Sequence, residues 1–312
     1  MTQKTMMRTA AVLACCARAM QLESVGRRQV LGGAGAGLGL LPSVSAAAGG
    51  GAGGGGLGGV VSDGGALTTL RRRVGQRVTS ARPSYGLDSG DVYYPDFFEG
   101  TWRTTSRAVA VEAPLGAQLF GGNASLSAAR AELGAAPVVY ESRFVRDARG
   151  RLISDRPFNI ASLAAATMAG GPDAIRDLPR SDQFNPDQVV FRLAPADAPG
   201  GAVYRAELRA LARRYEPSSG VLRDEKGRAV FDFGELTRQQ ISLPGDVAAP
   251  PSVKDIETIN CFTLLRDGKL EATQRTTTWL VATEGYAALR AQAADGRAVD
   301  VRTYAVDYDR VA

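Results

Sequence analysis

The chain has 312 residues, 45% of them hydrophobic and 22% charged, ordinary values for a packed domain that exclude wholesale disorder. It contains no histidine, which removes the usual general base near neutral pH, the histidine-based triads and the commonest transition-metal ligand. The net charge of +5 sits mainly at the front: residues 1–48 hold five basic groups and one acid, so 37 less 5 leaves 32 basic groups and 32 less 1 leaves 31 acids in the rest. A near-neutral body sets up no polyanion field, and no nucleic-acid partner is expected.

Lys4, Arg8 and Arg18, with no acid before Glu23, resemble the start of an organelle transit peptide. Arg27 and Arg28 then precede a glycine-diluted apolar run to Leu41 and the small residues up to Ala48, a pattern similar to a twin-arginine export signal with cleavage after Ala46 or Ala48. Residues 1–48 together read as the bipartite address of thylakoid-lumen proteins. A rival reading takes Thr9 to Ala17 as a secretory core cut at Ala17-Arg18-Ala19. The apolar run is about a dozen residues against the ~20 needed to span a bilayer, so no transmembrane segment is expected in the mature chain.

Residues 49–90 read as a glycine-rich linker and a basic segment. The tract from Gly49 to Gly65 matches the dinucleotide fingerprint formally, but a run of nearly pure glycine matches by chance, follows no strand and cannot begin a helix. A tether is expected. From Ala66 to Leu87 there are five arginines (Arg71, Arg72, Arg73, Arg77, Arg82) and no acid, with Leu67, Leu70, Val74 and Val78 at helical spacing. One or two basic amphipathic turns are predicted, lying on an anionic membrane surface or an acidic partner, or packing on the chain's own domain.

Residues 91–312 read as one domain. It opens on Tyr93-Tyr94-Pro95-Asp96-Phe97-Phe98-Glu99-Gly100-Thr101-Trp102, an aromatic stretch at the mouth of a strand, expected to cover the base of a barrel. Period-two alternation then predicts strands over residues 101–112, 138–144, 189–193, 204–213, 235–243, 256–265, 270–281 and 299–308. Residues 204–213 are alanine-rich enough for a helix, but charges at every second position make them a strand. Asp267-Gly268 marks the sharpest hairpin. Short helices are predicted over residues 125–133, 161–168 and 283–292. The fold class is all-β, an antiparallel barrel of about eight strands with a few short helices. Cys15 and Cys16 fall in the leader, so Cys261 is left alone in the mature chain and reads as a buried small hydrophobe.

Gly100-Thr101-Trp102 is similar to the Gly-x-Trp signature of lipocalin-like barrels. That resemblance implies that Trp102 closes the base and that an arginine of the last strand, here Arg302, lies across its ring. Residues 94–106, Asp155-Arg156-Pro157-Phe158-Asn159 and residues 269–280 resemble an uncharacterised family of cyanobacteria and of the thylakoid lumen of algae and plants, over roughly residues 83–309. The resemblance implies the compartment and a single barrel-like domain, and brings no catalytic residues with it.

Three functions stay open. A cup lined by Trp102, Tyr140, Phe144, Phe191, Tyr204, Trp279 and Tyr304 would hold a small hydrophobic ligand such as a lipid, pigment or quinone-like molecule, or the same rings would simply fill the core. An accessory or assembly factor would bind a thylakoid membrane complex through its surface. An enzyme would need a carboxylate pair from Asp96, Glu99, Glu141, Asp232 and Glu271, which no spacing links. Non-catalytic binding is the expectation, with no cofactor and no metal.

Overall fold

The computed structural model describes residues 68–76, 78, 82, 90–180, 185–217, 220–243, 251–283 and 285–311. Arg27, Arg28, Ala46 and Ala48, with the glycine tract, lie outside the described residues.

One antiparallel sheet organises the chain. Its long strands are β1 (Gly100–Glu112), β2 (Val138–Arg146), β5 (Gln188–Leu193), β6 (Tyr204–Glu216), β8 (Ala229–Ser242), β9 (Ser252–Leu264), β10 (Leu270–Leu280) and β11 (Asp300–Arg310). These are the eight that alternation predicts. Three further strands are of two or three residues: β3 (Leu152–Ser154), which returns from the turn at residues 147–150 as Leu152-Ile153 suggests, and β4 (Ile175–Arg176) and β7 (Leu222–Arg223), too short for periodicity to register. The spatial order is β3-β2-β1-β11-β10-β9-β8-β6-β5-β4, with β7 on β8. Residues 204–216 are strand throughout, and Asp267-Gly268 turns the β9–β10 hairpin with Gly268 at φ +82°.

The sheet curls into a half-barrel, and the ring contacts show how tightly. From β2 to β8 there are five strand steps, about 24 Å if the sheet were flat. The Phe98 ring nevertheless lies 5.1 Å from Phe144 of β2 and 5.7 Å from Phe231 of β8. Tyr94 bridges the same two strands, 4.8 Å from Phe144 and 5.4 Å from Phe231. The face that meets these rings is the inner face.

A helix spans the remaining gap between the sheet's two ends. In α4 (Arg156–Thr167), Asn159 Oδ1 accepts the Arg143 amide at 2.6 Å and Ser162 Oγ accepts the Glu141 amide at 2.9 Å, so polar side chains cover the open edge of β2. Its apolar positions Ile160, Leu163 and Ala164, with Met168 just past its end, pack with Val189, Phe191 and Leu193 of β5 and Ala206 of β6. The other helices are α1 (Thr69–Val74), α2 (Ala117–Phe120), α3 (Asn123–Arg130) and α5 (Gly285–Ala294). Among the described residues no helix is long and apolar enough to cross a membrane.

Candidate functional site

The inner face is layered by register, with apolar rows at the base and polar rows above. Phe231, Phe262, Ala272 and Val306 stand side by side across β8, β9, β10 and β11. Four residues higher, Arg213, Glu235, Thr258, Thr276 and Arg302 form a polar belt across β6, β8, β9, β10 and β11. Between them Asn260, Gln274 and Tyr304 make the transition. This belt is the candidate site, and both of its ends are built from paired ions.

At one end Arg302 donates to both oxygens of Asp300, at 3.0 and 2.9 Å, and lies 3.5 Å from Glu132. The Phe120 ring of α2 covers it at 5.5 Å. At the other end Arg213 bonds Glu235 at 2.7 Å and Asp187 at 2.8 Å, and Arg156 bonds Asp91 at 2.7 Å and Glu235 at 3.5 Å. Burial alone would raise the Glu235 pKa, but the guanidinium groups of Arg156 and Arg213 outweigh it and hold the carboxyl below its usual range. Burial likewise disfavours the Arg156 cation, and Glu235 and Asp91 reverse that and raise its pKa.

The base motif is structural in every residue that has a partner. Trp102 is fully buried and donates its indole N–H to the Phe98 carbonyl at 2.7 Å. The arginine across its ring is Arg310, 4.5 Å from the ring centre, and not Arg302, nine residues up the barrel opposite Val111. Strand polarity carries the signal for this: in an antiparallel pair the first residues of β1 meet the last of β11, and Trp102 pairs with Arg310. Arg310 also donates to the Phe97 and Glu99 carbonyls. Gly100 sits at φ +110°, and a Cβ there would lie 3.2 Å from Arg310 Nη1. Asp96 and Glu99 both bind Arg146, at 3.0 and 2.8 Å.

The Asp155–Asn159 run is likewise explained residue by residue. Asp155 caps α4 by accepting the Phe158 amide and also accepts Arg143 Nε at 2.8 Å. Arg156 enters the belt's ion network, Pro157 takes the first turn, and Phe158 lies 4.1 Å under the Arg143 guanidinium.

Residues 86–312 match the model of a domain of unknown function, DUF6816. The chain belongs to that family. No curated protein and no solved structure matches it.

Within the DUF6816 domain the expected lining residues divide among separate cores. Trp102, Phe144 and Tyr304 belong to the base cluster, and Phe191 and Tyr204 to the cluster under α4. Trp279 lies on the outer face with Leu236, Ala298 and Val301. Tyr140 is half-buried, and burial pushes its phenol pKa up. A cavity beside Tyr304, lined by Ser106, Ala108, Glu132, Ala135 and Val138 among others, has a volume of about 20 Å³, room for one water.

The described residues of the basic segment ahead of the DUF6816 domain pack on the domain's own outer face. Leu70 of α1 lies on Ile259 and Cys261 of β9. Arg71 pairs with Asp232 at 2.7 Å, Arg73 with Glu257 at 2.7 Å, and Arg82 with Asp255. All three acids are buried. The acidic surface this segment needs is therefore supplied by β8 and β9. Burial pushes the Cys261 thiol pKa up, with Asp232 adding to it, which keeps the sulfur protonated and unreactive.

The remaining carboxylates considered for catalysis are scattered. Glu141 and Glu271 are exposed, while Asp232 is held by Arg71 on the outer face. Among the described residues no group of three or more acidic or cysteine side chains is placed to hold a metal.

Proposed function

We propose that this DUF6816 protein is a non-catalytic accessory factor of the thylakoid lumen that binds a membrane-associated assembly through its outer surface. The observation that supports it most directly is the interior. Six of the seven rings expected to line a cup are divided among three packed clusters, and the cavity beside Tyr304 is about 20 Å³, against the several hundred Å³ of a small-molecule site. The upper interior is also chemically unsuited to a lipid, pigment or quinone, being lined by Thr258, Thr276, Asn260 and paired ions. The lumen assignment rests on Arg27-Arg28, the apolar run after them and the small residues to Ala48.

Native mass spectrometry of the mature chain purified from thylakoid lumen tests this reading. The expected result is the chain alone or with a protein subunit, at a mass consistent with removal of the leader. A stoichiometric small-molecule mass retained on the chain would replace the surface reading with that of a ligand carrier.

A further inference from the structure

The body is near neutral as a whole, but its charge is unevenly placed, and the outward face of β4, β5 and β6 carries a row of arginines. Arg176 of β4 stands directly opposite Arg192 of β5, and Arg192 directly opposite Arg205 of β6. The alternate residues Ile175, Val189, Phe191 and Leu193 pack in the core under α4, so the three arginines face outward. Arg209, four residues further along β6, extends the array on the same face. Two strand spacings by four residues give a patch of about 10 Å by 13 Å.

This arrangement costs stability. Like charges directly opposite in a sheet repel one another. Arg192 is offset by Asp177 and Arg205 by Glu207 at 2.8 Å, whereas Arg176 and Arg209 make no ion pair among the described residues. The arginines ahead of the domain are different in kind, because Arg71, Arg73 and Arg82 are each matched to a buried carboxylate. With Asp177 and Glu207 the only acids paired to the four arginines among the described residues, the repulsion is offset in part inside the fold, and the excess of positive charge left on this face marks it as kept for something outside it.

We infer that this ladder is a docking face for a bilayer surface carrying anionic headgroups. The inference rests on the reading that the chain works through its outer surface. The array lies on the face of a sheet rather than in a groove, which suits a plane of headgroups, and guanidinium forks bind anionic oxygens in pairs. Charge complementarity selects anionic over zwitterionic lipid.

The test is co-sedimentation of the full chain with vesicles of phosphatidylcholine, with and without phosphatidylglycerol. The wild type is compared with an Arg176→Thr/Arg192→Thr/Arg205→Thr variant and with Arg103→Thr, which removes an exposed arginine of β1 and leaves the leader's charges in place. Binding is expected only with phosphatidylglycerol and is expected to weaken with salt. At about fivefold per arginine, the triple variant should partition about a hundredfold less, while Arg103→Thr binds as the wild type does. The triple variant should also melt close to the wild type, since the repulsion relieved and the two exposed ion pairs lost, Arg192 with Asp177 and Arg205 with Glu207, are of similar size.

Equal losses in both variants, or wild-type binding that ignores phosphatidylglycerol, would overturn the ladder. So would a triple variant that melts early, which would make the array structural. A wild type that ignores vesicles yet is purified with a protein subunit sinks the lipid face and leaves the surface reading standing. A retained small molecule sinks both.

Discussion

Trp102 shows how a residue that reads as a possible binding element becomes a structural one once its neighbours are known. It is buried among Phe98, Tyr304 and Tyr308, its indole N–H is satisfied by a backbone carbonyl, and its exposed side is covered by Arg310. Trp102→Ala should cost roughly 3–5 kcal/mol, as large aromatic truncations in cores do. Arg310→Ala should cost about 1 kcal/mol through the lost cation–π contact. Arg302→Ala should cost about 3–5 kcal/mol, because Asp300 and Glu132 stay buried without their cation. Urea titrations of the three variants check the ranking, and a milder effect at Arg302 than at Arg310 would mean the upper ion cluster is hydrated. The sequence points to Trp102 and to an arginine of the last strand. Residue parity alone does not choose between Arg302 and Arg310, because both point to the same face; the antiparallel polarity of β1 on β11, which brings the start of one to the end of the other, separates them.

At the scale of elements, the eight long strands are legible because each carries a half-buried alternation that a one-residue slip would turn inside out. The part of α4 before Ala161 is not, since Asp155-Arg156-Pro157-Phe158-Asn159 has no helical stripe. Its start signal is instead an N-cap aspartate followed by proline in the first turn. What the helix does is also hidden from periodicity, because its work is done by polar side chains. Asn159 accepts the Arg143 amide and returns its own N–H groups to the Arg143 carbonyl and Ser154 Oγ. Asn159→Ala therefore leaves the β2 edge unsatisfied and should cost about 1–3 kcal/mol. Hydrogen exchange at the Arg143 amide, faster in the variant while the Glu141 amide held by Ser162 changes less, would locate the damage, and unchanged protection at Arg143 would show that the edge is covered by other means. The basic segment is the opposite case, in which packing on the chain's own domain is among the readings of the sequence but the partners are not. Its charge is plain in the sequence, but Asp232, Asp255 and Glu257 are spread over two strands, and only the fold brings them together on one face to receive Arg71, Arg82 and Arg73.

A partly buried ion network ties β6, β8, α4 and the Asp91 turn together, and this makes the stability of the molecule depend on pH in a definite direction. Glu235 is the shared acid of the network linking β6, β8, α4 and the Asp91 turn, because Arg213 and Arg156 both bind it. Its pKa in the folded chain is depressed below the ordinary 4.5 by those two cations, against the opposing effect of burial. A depressed carboxylate contributes stability that is fully present above its unfolded pKa and is lost as pH falls through its folded pKa. The wild type should therefore lose stability on acidification through the window below the ordinary glutamate value. Glu235→Gln should be less stable at neutral pH, because Arg213 and Arg156 lose an anionic partner, and should lose less on acidification because the titrating group is gone. Urea midpoints for both chains from neutral pH to about pH 3 give the comparison. The two curves should converge as pH falls, and curves that stay parallel would mean that Glu235 titrates alike in the folded and unfolded chains and that Arg156 and Arg213 are held by Asp91 and Asp187 instead.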